Sequence, residues 1–70
     1  MNHQTLQEMM LETLDVYAET YKESINNIQR ERVDRTAMDF INENAEFYRL
    51  TEVQSENLKN YYVSKKYNIE

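Results

Sequence analysis

Apolar side chains between Thr5 and Ile28 recur at steps of three and four. Leu11, Leu14, Ala18, Tyr21, Ile25 and Ile28 fall in one line, an a/d seam sustained for three heptads, and Met10 and Tyr17 widen it on one flank. The spacing predicts a first amphipathic helix over residues 5–28, whose stripe must be buried against another surface. Thr5-x-x-Glu8 fits a capping box at its start, the hydroxyl taking the Glu8 amide while the carboxylate reaches back. Residues 1–4 carry nothing apolar enough to dock and are expected to fray, so His3 reads as an exposed tail histidine.

Opposite the seam runs a second line, Glu8, Glu12, Asp15, Glu19 and Glu23. Like charges four apart on a helix repel by a few tenths of a kcal/mol, and only Lys22 relieves them. The line reads either as a solvated outer face or as a docking face for a basic partner. Its carboxylates recur about every 5–6 Å along a helix, close to the phosphate spacing of a DNA strand.

At Gln29–Arg35 the pattern breaks. Arg32 and Arg35 occupy the positions that should be apolar, and Val33 starts a new line offset by about one residue. A turn or kink over residues 29–35 accounts for the phase change, with a continuous helix as the alternative. Asn26 and Asn27 would suit an earlier break. The three arginines are largely neutralised by Glu31 and Asp34, which favours a solvated helix end over a nucleic-acid contact.

A second helix is expected over residues 36–49, capped by Thr36 or Asp34. Ala37, Ile41, Ala45 and Tyr48 share one face, and Phe40 and Phe47 stand beside it. Thr51-Glu52-Val53-Gln54 is a further capping box. It predicts a third helix over residues 52–66, or a continuation of the second, with a thinner apolar face of Leu50, Val53, Leu58, Tyr61 and Tyr62. From Asn57 to Ile69 the charge reverses, with Lys59, Lys65 and Lys66 and no acid. These lysines are expected to answer the acids of the first helix while the tyrosines lean on it.

Composition narrows the class. Gly and Pro are both absent, so hairpin turns and Gly-rich phosphate loops have no obvious basis, and the chain reads as all-α. Two or three amphipathic helices form a helical hairpin or a small three-helix bundle, one domain over residues 1–70. A chain of 70 residues without cysteine has few ways to supplement its core. Self-association is the favoured one: a homodimer completing a helical bundle, with Leu11, Leu14, Ala18, Tyr21, Ile25 and Ile28 as the seam.

The net charge of −5 disfavours nucleic acid as a general partner. No apolar run approaches the ~18 residues of a membrane span, and the N-terminus does not have the form of a signal peptide. A cytoplasmic location is expected. The single histidine lies in the tail, cysteine is missing, and no Glu-x-x-His, P-loop or EF-hand pattern occurs. No catalytic, cofactor-binding or metal-binding residue is therefore assigned, and no enzyme is expected.

What remains is an acidic interaction module that regulates or inhibits a protein partner with a basic or apolar groove. The acidic face Glu8, Glu12, Asp15, Glu19 and Glu23 would form the contact, with Tyr17, Tyr48, Tyr61 and Tyr62 as further aromatic contacts. Two alternatives stand beside it. One is a nucleic-acid mimic of phage or anti-defence type that blocks a DNA-binding protein with the same acids. The other is a weak nucleic-acid binder using the basic C-terminal end.

Overall fold

The structure is a computed structural model, which describes residues 4–68. His3 lies outside the described residues. Three helices pack together: α1 (Leu6–Glu23), α2 (Asn27–Phe47) and α3 (Glu52–Lys66). Among the described residues there is no strand. Connections of a few residues force α2 to run back along α1, and α3 along α2. α1 and α3 are consequently parallel. Tyr61 meets Asp15 and Tyr67 meets Tyr21, the same offset of 46 residues in both pairs.

Each helix starts on a side-chain cap. The Thr5 hydroxyl accepts the Glu8 amide at 3.1 Å, and the Asn26 side chain accepts the Gln29 amide at 2.9 Å. At α3 the box is reciprocal: Thr51 Oγ1 takes the Gln54 amide at 3.1 Å, and the Thr51 amide donates to Gln54 Oε1 at 2.8 Å. These caps satisfy amides that the first turn of a helix leaves without partners.

Two expected boundaries are corrected. The helix expected over residues 5–28 ends at Glu23, and the helix expected over residues 36–49 begins at Asn27. No turn interrupts residues 29–35; the chain turns at residues 24–26 instead. Asn26 is the reason. Its extended backbone and side-chain bond to Gln29 make it a strong N-cap, and the Gln29 side chain reaches back to accept the Ile25 amide at 2.9 Å. Neither Thr36 nor Asp34 caps a helix. Both lie within α2, where the Thr36 hydroxyl bonds back to the Arg32 carbonyl at 2.8 Å.

The core holds Met10, Leu14 and Ala18 of α1, Ala37 and Ile41 of α2, and Leu58 and Tyr62 of α3. Small Ala18 and Ala37 let the helices approach closely, and long Tyr62 fills the space between them. Phe40 reaches around the edge to Tyr17, ring against ring edge, with centroids 5.8 Å apart.

Lacking glycine, the chain closes its helices by other means. α2 ends in a Schellman motif, with the Leu50 amide on the Ala45 carbonyl at 2.9 Å and the Arg49 amide on Glu46 at 3.4 Å. The left-handed position that glycine usually fills is taken by Arg49, at φ 54°. After α3 it is Asn68, at φ 56°, a residue that tolerates this region better than most.

Candidate interaction surface

The expected seam divides into three fates. Leu14 and Ala18 are buried in the core of their own chain, and Leu11 and Tyr21 are half-buried at its edge. Ile25 and Ile28 lie beyond the end of α1, 82 % and 68 % exposed. The six residues therefore do not form one line on one helix. Heptad spacing carried the register past a helix end it does not detect.

The acidic line is corrected at one position. Glu8, Glu12, Glu19 and Glu23 are exposed on α1, but Asp15 is half-buried and accepts the Tyr61 hydroxyl of α3 at 2.7 Å. Gln4 donates to Glu12, and Lys22 pairs with Glu19 at 3.4 Å. Between these acids, on the side of α1 away from the core, stand Met9 and Val16, 46 % and 62 % exposed. No helix covers them. The outward face of α1 is thus a mixed stripe of Met9, Glu12, Val16, Glu19 and Glu23.

The tyrosines expected at a partner surface mostly serve the fold. Tyr62 is fully buried and cannot touch a partner; its hydroxyl donates to Asp34 at 2.8 Å. Tyr61 is half-buried on Asp15, and Tyr17 on Phe40. Only Tyr48 is exposed, edge-on to Phe47. Burial, with the hydrogen bond to Asp34 second, pushes the Tyr62 phenol well above its ordinary value. The Asp15 hydrogen bond, with burial second, raises Tyr61 to about 12.

The clasp around Lys66 has no counterpart in the sequence reading. The Lys66 ammonium sits 2.7 Å from Asp34 and within 4.5, 5.2 and 4.9 Å of the ring centres of Tyr21, Tyr62 and Tyr67. Three aromatic faces and a carboxylate surround one cation. The Lys66 side chain is 8 % exposed, that of Asp34 37 %. The Tyr67 hydroxyl beside Tyr21 raises the Tyr21 phenol. This cluster clasps all three helices at one end. It corrects the expected charge pairing: Lys66 answers Asp34 of α2, and Lys59 pairs with Glu56 of its own helix at 3.9 Å, so neither meets the acids of α1. The sequence carries a trace of it only in the heptad relation of Tyr62 to its neighbours, which does not name Asp34.

Among the described residues no group of three or more His, Cys, Asp or Glu side chains is placed to hold a metal ion. Among the same described residues no helix is long and apolar enough to cross a membrane. The titratable groups that are drawn inward, Asp15, Asp34, Tyr61, Tyr62 and Lys66, are each satisfied by a side chain of another helix. Comparison with protein-family models, with curated proteins and with solved structures gives no match to this chain.

Proposed function

We propose that this chain is a small acidic module, acting in the cytoplasm, that regulates or inhibits a partner protein by binding it, without chemistry of its own. The observation that carries this is the outward stripe of α1. Met9 and Val16 stand uncovered beside Glu12, Glu19 and Glu23. Exposed apolar side chains set in a charged rim suit a protein contact, with the apolar groups supplying affinity and the acids register and encounter rate. The fitting partner offers an apolar strip flanked by lysine or arginine.

Phosphate mimicry is the weaker reading. Asp15 turns inward to Tyr61, which leaves a gap in the row, and two apolar side chains interrupt it. A homodimer built on Leu14 and Ala18 is not part of the proposal, because both are buried in their own chain's core.

The test compares immobilised wild-type protein with a Val16→Asp/Glu19→Lys/Glu23→Lys variant in cytoplasm of the source cells. The expected result is one protein retained in stoichiometric amount by the wild type, released by salt and lost from the variant, with helicity unchanged by circular dichroism. Equal retention by both, or retention by neither, overturns the proposal.

A further inference from the structure

One face of α2 is covered by neither α1 nor α3. Steps of four, seven, four and four set Ile28, Arg32, Asp39, Glu43 and Phe47 along one side of this helix, away from the core residues Ala37 and Ile41. All five are exposed, and the apolar side chains at the two ends of the row are 68 % and 79 % exposed. The charges along it divide by half. Arg32 and Arg35 precede Thr36, and Asp39, Glu43 and Glu46 follow it.

Two of these charges have no counter-charge in their own chain. The positions three and four away from Arg32 hold no acid, and those three and four away from Glu43 hold no base. Glu23 of α1 lines a shallow crevice with Arg32 but stays outside ion-pair distance, and among the described residues no ion pair involves Arg32 or Glu43. Arg35 differs, with Glu31 and Asp39 one turn to either side.

The row is its own complement when read backwards. Ile28 precedes Arg32 by four residues, and Phe47 follows Glu43 by four. In two α2 helices laid antiparallel, the register that sets Arg32 opposite Glu43 therefore also sets Ile28 opposite Phe47, at both ends. Its centre falls between Ala37 and Met38, so Asp39 of one copy faces Thr36 of the other and not a second Asp39. A parallel pairing sets arginine against arginine and acid against acid. We propose that two copies of this chain pair through this face of α2, antiparallel about a twofold axis. The contact is isologous and closes at two chains. Ile28 and Phe47 supply the apolar contact, and the Arg32–Glu43 pairs fix direction and register. No residue of the α1 stripe takes part, so the inference is independent of the partner reading.

Light scattering from micromolar to millimolar protein tests it, with the variants Arg32→Glu and Glu43→Arg. Both positions are exposed, and circular dichroism checks that helicity is unchanged. The expected wild-type mass rises with concentration from one chain to two and stops there. Every pair occurs twice across the axis, so each variant alone sets like charges together at two places and stays at one chain. Mixed in equal amounts, the two variants form a two-chain species, because both pairs are then of opposite sign. The double variant Arg32→Glu/Glu43→Arg exchanges the charges and regains the two-chain mass by itself. A wild type that keeps the mass of one chain at millimolar concentration overturns the proposal and leaves the face to a different protein. So does a mass that grows past two chains, a single variant that pairs as well as the wild type, or a mixture that leaves both variants single.

Discussion

The Tyr61 hydroxyl of α3 lies 2.7 Å from the Asp15 carboxylate of α1, and this one bond takes a residue out of each surface that the sequence offers to a partner. It joins two parallel helices that no short connection holds together. Tyr61→Phe keeps the ring and removes the donor, and is expected to lower unfolding stability by about 1 kcal/mol in urea titration.

The same bond sets a pH dependence. Tyr61 is raised to about 12 in the folded chain, against 10.0 for an unperturbed phenol. A folded pKa above the unfolded one means that the unfolded chain loses its proton first. The stabilisation is complete below pH 10 and declines as pH rises toward 12. The more strongly raised Tyr62 adds to the same trend. The melting temperature should fall steeply across that window, and less steeply in Tyr61→Phe. An equal fall in both proteins would remove Tyr61 as a cause.

The clasp around Lys66 predicts an asymmetry between its two charged partners. Asp34→Ala leaves an almost buried ammonium without a counter-ion and the buried Tyr62 hydroxyl without its acceptor, and is expected to cost about 3 kcal/mol. Lys66→Met keeps the stem in its apolar surroundings. Asp34 retains the Tyr62 bond and access to water, so the expected cost is about 1 kcal/mol. Urea titrations of the two variants check the order, and a larger loss for Lys66→Met would contradict it.

Much of the architecture is legible in residue spacing. Steps of four mark Leu14 with Ala18, and Ala37 with Ile41, and all four lie in the core. Thr51 and Gln54 announce the start of α3 by local chemistry alone. The end of α1 is hidden for a physical reason: Ile25 and Ile28 continue the register while the backbone has already turned. Asn26 marks the break, but asparagine near a helix end is common. The clasp is illegible for another reason. Asp34 and Lys66 are separated by 32 residues, and each stands among other charged side chains, so nothing local distinguishes it from a solvated neighbour.

Arg49 occupies the left-handed position of the α2 terminus, where a β-carbon costs about 1–2 kcal/mol relative to a relaxed backbone. Glycine removes that cost but gains freedom in the unfolded chain. Arg49→Gly is expected to raise stability by about 1 kcal/mol, and Arg49→Val to lower it, because a β-branched side chain fits this region worst. Thermal melts of the pair measure both signs.

The six residues of the heptad line give the sharpest contrast between spacing and burial. Leu14 is enclosed by the core, so truncation removes apolar area and leaves a cavity; Leu14→Ala is expected to cost about 3 kcal/mol, a large share of what so small a chain can hold. Ile28 continues the same register but is open to solvent on the first turn of α2. Ile28→Ala should change the stability of the single chain by less than about 0.5 kcal/mol. Measured in dilute protein, where association between chains is negligible, the two values separate an internal core from an intermolecular seam. Similar losses at both positions would mean that Ile28 is covered in the folded state, and the register would then hold across the turn after all.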